Sequence, residues 1–142
     1  MKVSGKCIEL IKRHEGFKAK AYKCPAGVWT IGYGTTEGVT EGMVCTEAQA
    51  TQKLINHLAS VERDLNSLNL AINQNQFDAL ADFIYNLGFG DFLHSFLLKT
   101  IRINPNNSAI RDEFGKWIHG GGKVLPGLLR RRNDDANLYF SL

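Results

Sequence analysis

Three side chains in the first thirty residues are of types that can do chemistry: the carboxyl of Glu15, the thiol of Cys24 and the hydroxyl of Thr30. Taken singly, each has an ordinary reading, as a solvated surface acid, a small buried residue and a strand threonine. Glu15 stands out by its place. Ser4 can cap a helix whose apolar side includes Ile8 and Ile11, and Glu15-Gly16 ends it, glycine supplying the left-handed exit residue. A carboxyl there faces the partial negative charge of a helix end, and in a closed cleft it also loses water. Both effects favour the protonated acid, the form that can protonate a departing group.

From Ala19 to about Val44 the pattern changes to short β segments, with CPAG as the turn before VWTIGYG. Alternation along an extended chain puts Trp29, Ile31 and Tyr33 on one face and Val28, Thr30 and Gly32 on the other, facing a common space. Thr46 and Gln49 form a capping box ahead of Leu54, Leu58, Val61, Leu65 and Leu68, the stripe of a long amphipathic helix. A second box, Asn73 to Gln76, opens a helix carrying Phe77, Leu80, Ala81, Ile84 and Leu87, closed by Gly88. One further helix is expected from Asp91 through Phe92, Phe96, Leu97 and Ile101. Another is expected from Ser108 through Ile110, Phe114, Trp117 and Ile118, ended by the run Gly120 to Gly122. Pro126 begins the last, with Leu128, Leu129 and Arg130 to Arg132.

The layout is α+β: a first helix and small β-lobe over about 1–45, a connecting helix over about 46–69 and a larger helical lobe over about 70–142, with a cleft between lobes. A chain of 142 residues with 44% hydrophobic and 22% charged residues can bury one core unaided, which excludes disorder and fibre classes. No apolar run reaches the roughly 20 residues of a membrane span, and the N-terminus lacks a signal-peptide core, so synthesis and retention in the cytoplasm are expected. The three cysteines, Cys7, Cys24 and Cys45, are odd in number and contain no CxxC pair, indicating neither a zinc site nor a disulfide framework. A net charge of +3 favours anionic polymers but is weak for a dedicated nucleic-acid binder.

The run EGFKAKAYKCPAGVWTIGYGT resembles the signature of glycoside hydrolase family 24, the phage-type lysozymes or muramidases, in which Glu is followed after eight residues by Asp or Cys and after five more by Thr. Those positions are Glu15, Cys24 and Thr30. NQNQFDALADFIYNLG, GDFLHSFLLKTI, FGKW with its glycine run, and VLPGLLRRR resemble that family's C-terminal lobe in the same order, so nearly the whole chain is covered. Where the family has His after the Gly-x-Gly strand end, this chain has Thr35.

The resemblance implies a lysozyme-like fold and hydrolysis of the β-1,4 bond between N-acetylmuramic acid and N-acetylglucosamine, without metal or cofactor. It makes Glu15 the acid, and it gives Cys24 and Thr30 the opposite face of the sugar, roughly 6.5 to 9.5 Å away in an inverting reaction. Cys24 can act as a thiolate, its pKa lowered by a cation such as Lys23, or as a neutral thiol polarising water with Thr30; the residues leave both open. Thr36, Tyr85, Asn86 and Ser95 correspond to saccharide contacts, with packing as the plainer reading of Tyr85. A phage or prophage endolysin is implied: a monomer acting on peptidoglycan strands, without membrane insertion, from a host cytoplasm it leaves once a holin-type partner permeabilises the membrane. A non-catalytic peptidoglycan binder, a lytic transglycosylase and a small nucleic-acid module are the rivals.

Overall fold

The N-terminal helix α1 (Gly5–Glu15) starts at Ser4, whose hydroxyl accepts from the Lys6 amide, and ends at Gly16, with φ of 70°. The computed structural model describes all residues, 1–142. Strands β1 (Lys18–Lys23) and β2 (Trp29–Gly32) pair antiparallel, with a register irregularity between Lys18 and Tyr22. The CPAG turn joins them: the Gly27 amide donates to Cys24 O at 2.8 Å, and Gly27 takes a φ of 78°. Residues 43–45 flank β1, where the Ala21 amide donates to Met43 O at 2.9 Å and the Cys45 amide to Ala19 O at 2.8 Å. Ala21, Ile31 and Val39 close a small core against Trp29, Met43 and Cys45.

Strict alternation fails at one point. Ile31 enters the small core, but Tyr33 belongs to the main one, because Gly32 adopts a φ of 65° and turns the chain. Gly32 packs on Ala50, whose Cβ lies 2.9 Å from where a Gly32 Cβ would stand.

Helices α2 (Glu47–Asn66) and α3 (Gln74–Leu87) both open with complete capping boxes, in which Thr46 and Asn73 exchange bonds with Gln49 and Gln76. The stripe of α2 is buried as its spacing requires, at Ala50, Leu54, Leu58, Val61 and Leu65. Every residue of α3 from Gln76 to Ile84 is buried, so this helix is the axis of the larger lobe, with α1, α2 and α7 packed around it. α1 docks there rather than on the sheet, placing Cys7 and Ile11 in the main core. Phe83 meets Phe92, Phe114 and Trp117 edge-on at 5.9, 6.0 and 5.6 Å, contacts worth about 0.5–1.5 kcal/mol each beyond area burial.

The single helix expected from Asp91 to Ile101 is two, α4 (Phe89–Leu93) and α5 (Phe96–Ile103). Ser95 breaks them apart: its hydroxyl accepts from the Leu98 amide at 3.1 Å and donates to Phe92 O at 2.6 Å. Helix α6 is shorter than expected (Ile110–Gly115), leaving Trp117 and Ile118 beyond its end. The glycine run forms a hairpin instead of a simple stop. Strands β3 (His119–Gly120) and β4 (Lys123–Val124) pair across Gly121 and Gly122, whose φ values of 58° and 78° suit a two-residue primed turn. Helix α7 (Pro126–Tyr139) follows, with proline at its first position. No helix is long and apolar enough to cross a membrane.

Buried charge joins α3 to α7. Asp82 is fully buried, and Arg131, 4% exposed, donates to it through Nε at 3.2 and 3.1 Å and through Nη2 at 2.8 Å. Arg132 lies 3.0 Å from Asp135 through Nε, at an angle short of a hydrogen bond, and donates through Nη2 to Asn86 Oδ1 at 2.8 Å. Burial pushes the Asp135 carboxyl well up, as does the Asp82 charge. Burial also acts to raise Asp82, but the charge and hydrogen bonds of the Arg131 guanidinium act against it and Asp82 is held low. The stability tied to Asp82 is present above its unfolded pKa of about 3.9 and lost as pH falls; that tied to Asp135 is present below this value and lost as pH rises. Asp82→Asn, which leaves Arg131 without its main counter-charge, is expected to lower stability by about 3–5 kcal/mol. Asp135→Asn, which mimics the neutral acid, should lower it far less and flatten its decline toward alkaline pH, both read by urea unfolding across pH.

Candidate active site

Glu15 is fixed from two sides. Its carboxylate accepts from Arg131 Nη1 at 2.8 Å, with the Glu15 side chain 21% exposed. One helical turn along α7, Asp134 takes His14 Nε2 at 2.7 Å and Arg13 Nη2 at 3.1 Å, so the last turn of α1 is clamped to α7 at successive turns. His14 is thus a satisfied structural residue. On the other side the chain after β2 comes against the acid: a Cβ on Gly34 would stand 2.7 Å from Glu15 Oε1, and Gly34 has a φ of 84°. Glycine is required there twice over, for space and for backbone conformation.

Thr30 is buried on β2, and its hydroxyl donates to Val28 O at 3.0 Å. Cys24 sits half-buried at the turn between the strands. The backbone amides of Val28 and Ala26 lower its thiol below the ordinary range; burial opposes them, and the Thr30 hydroxyl adds a lesser lowering. Thr30 has one hydroxyl proton, so donating to Val28 O and donating to the sulfur are alternatives. Lys23, the cation proposed to assist the thiolate, lies instead over the Trp29 ring, 5.5 Å from its centroid.

Tyr22 connects the two halves. Its phenol is pushed up by partial burial and then by the charges of Glu15 and Cys24, so it lies within the field of both. Tyr85 is pushed further up, by burial first and the Glu15 charge second. Its hydroxyl donates to Tyr33 O at 2.6 Å, tying α3 to the segment that reaches Gly34. Asn86 Oδ1 accepts from Arg132, and Thr36 is exposed just past the turn. Ser95 stands apart, 2% exposed, its only hydrogen-bond donor used in capping. Glu15 thus meets Arg131 and the backbone at Gly34, Tyr85 is tied to the same segment through Tyr33, Cys24 and Thr30 share the hairpin, and the charges of Glu15 and Cys24 both push up Tyr22. Sequence reasoning missed Arg131 as the partner of the acid, Gly34 as its backbone wall, and Tyr22. No three His, Cys, Asp or Glu side chains converge as metal ligands would.

Residues 12–135 match the Phage lysozyme family, a span that contains Glu15, Cys24, Thr30 and Arg131. The chain belongs to this family. It is accordingly a lysozyme-type hydrolase. An endolysin of Acyrthosiphon pisum secondary endosymbiont phage 1 is 39% identical over 99% of both chains. An endolysin of Bacillus phage PZA is 38% identical over 99% of this chain, which spans 56% of that relative's length. The muramidase domain of SpmX from Asticaccaulis excentricus superposes with a TM-score of 0.92 at 32% identity, covering 99% of each chain. The lysozyme-like α+β architecture is thereby shown for this member of the phage lysozyme family.

Two outcomes follow for this lysozyme site. Gly34→Ala should displace the Glu15 carboxyl and reduce turnover at least tenfold, a shift visible in the crystal structure of the variant. In thiol alkylation of the native protein, Cys24 should react first, with a pH midpoint below the ordinary value of about 8.5. Cys7, fully buried and pushed up by burial and by Asp82, should stay unlabelled until unfolding.

Proposed function

We propose that the chain is an endolysin that hydrolyses the β-1,4 bond between N-acetylmuramic acid and N-acetylglucosamine in peptidoglycan, with Glu15 as general acid. The observation that carries this reading is a carboxyl held at a helix end by a buried arginine, with a hydroxyl and a lowered thiol on the neighbouring hairpin and Tyr22 in the field of both. Similarity to proteins named endolysin and muramidase supports the same substrate class.

In this mechanism Glu15 reacts from its protonated form, giving the proton to the glycosidic oxygen as the bond from the anomeric carbon to that oxygen breaks. The proton leaves behind a carboxylate that Arg131 already faces. Three of the four Arg131 contacts go to Asp82, so much of the cation's charge is engaged before the reaction begins. The remaining Nη1 stabilises negative charge on Glu15 as it develops. Water attacks the anomeric carbon from the far side, oriented by Thr30 and Cys24, and releases its proton to the thiolate or to solvent. Direct attack inverts the anomeric centre. Thr36, Tyr85 and Asn86 border the glycan path, with the Tyr85 hydroxyl held by Tyr33 so that its ring is the surface offered. The protein acts as a monomer, without cofactor, and reaches the wall from the cytoplasm after a holin-type partner permeabilises the membrane.

Glu15→Gln keeps the size and an acceptor for Arg131, and should lower turnover of purified peptidoglycan by about 10²- to 10⁴-fold with an unchanged thermal midpoint. New reducing ends of inverted configuration, read by proton NMR, are expected from the wild type. Anhydro sugars would show a lytic transglycosylase, and near-normal turnover in the variant would remove Glu15 as the acid.

A further inference from the structure

Helix α5 is apolar on both sides. Leu97, Leu98 and Ile101 are buried in the main core, as an amphipathic helix requires. The opposite side carries Phe96, 63% exposed, and Ile103, 86% exposed. Seven residues apart, they lie on one stripe, about 10 Å from each other along the axis. Lys99 on the same stripe and Arg102 beside it are exposed, and neither lies within 4 Å of a carboxylate. Lys116, just past the end of α6, reaches the same ring. Its Nζ stands 5.5 Å from the Phe96 centroid, and that of Lys99 stands 4.8 Å from it. Glu113 pairs with Lys116 at 2.8 Å, and α5 itself has no acidic residue. A single exposed apolar side chain is ordinary on a protein surface; two on one stripe, flanked by cations, mark a surface that meets something.

Shape and charge choose the partner. The stripe is a ridge, and the hollow beside it, between Phe96, Glu113, Lys116 and Trp117, holds only about 200 Å³, too little for an ordinary ligand pocket. Protruding apolar side chains need a partner that yields around them. A second copy of the chain would set Lys99 and Arg102 against the same cations across a two-fold axis. The phosphates of a nucleic acid would match the cations and leave Ile103 in water. A bilayer with anionic headgroups meets both demands. Phe96 and Ile103 enter the boundary between headgroups and acyl chains, while the ammonium and guanidinium groups stay with the lipid phosphates. We propose that the outer face of α5, together with Lys116, docks on the surface of a bilayer containing anionic phospholipid. Eight residues are far too few to span it, so the protein lies on the bilayer. This surface is independent of hydrolysis and stands whether or not Glu15 is the acid.

The test is co-sedimentation of the full chain with vesicles of phosphatidylglycerol and phosphatidylethanolamine, and with vesicles of phosphatidylcholine alone. The wild type should partition onto the first and not the second, and added salt should weaken it. Phe96→Ser combined with Ile103→Ser should lower the partition constant by roughly tenfold or more, and Lys99→Gln combined with Arg102→Gln by roughly tenfold. Both variants should keep the wild-type thermal midpoint and turnover of lipid-free peptidoglycan, since neither pair touches the core or the acid. Ile103→Trp, read against the wild type, should add emission that lipids brominated near the headgroup end of the acyl chains quench. No binding, equal binding to both vesicle types, wild-type partition of the serine variant, or no added quenching in Ile103→Trp each overturns the proposal. A wild-type dimer that the serine variant dissociates overturns it in favour of self-association. DNA binding that the glutamine variant weakens, without vesicle binding, overturns it in favour of a nucleic-acid surface.

Discussion

Arg131 is shared between two carboxylates of different standing, and the site depends on that sharing. Asp82 is buried, takes three of the contacts and belongs to the helix at the axis of the larger lobe. Glu15 is partly exposed and takes one. An arginine in the interior is favourable only when its charge and its planar donors are matched, and Asp82 meets most of that requirement without Glu15. The arginine is therefore held in place by the fold, and the acid is held by the arginine. Arg132 and Asp135 complete the arrangement, so that Asp82, Asp135, Glu15 and the two arginines form one cluster of paired charges.

Backbone fit does the rest of the positioning. Gly32 bends β2 onto Ala50, and Gly34 lets the main chain approach the Glu15 carboxyl more closely than any side chain permits. Tyr33, between them, has its ring in the main core and its carbonyl bonded to Tyr85. The hairpin carrying Thr30 and Cys24 thus hangs from a residue locked into the helical lobe, and the two halves of the site share one reference point.

Much of this was legible in the residues. The caps at Ser4, Thr46 and Asn73 and the apolar spacing of α2 and α3 follow from local chemistry, and the structure has them where those signals stand. Boundaries went astray where a residue had two uses. Ser95 reads equally as a helix interior or a cap, and only the packing of Phe92 and Leu97 decides for the cap. Three glycines in a row read as a stop and proved to be a turn, because two of them take positive φ between pairing strands. Of Arg130 to Arg132, only Arg130 is exposed, and the other two turn inward. Burial of Arg131 and Arg132 was not deducible without knowing that Asp82, set among apolar neighbours in ALADFIY, faces them. An acid inside an apolar stripe is itself a signal, but its partner lies 49 residues away.

The ion pair that fixes the acid joins residues 116 positions apart. Contacts so distant along a chain form late, after local helices and hairpins, because closing such a long loop lowers entropy before any contact repays it. During synthesis Glu15 emerges 116 residues before Arg131, and a chain that has not yet reached α7 carries this carboxyl with nothing to hold it. The geometry around Glu15 is therefore completed only when α7 docks on α1 and α3.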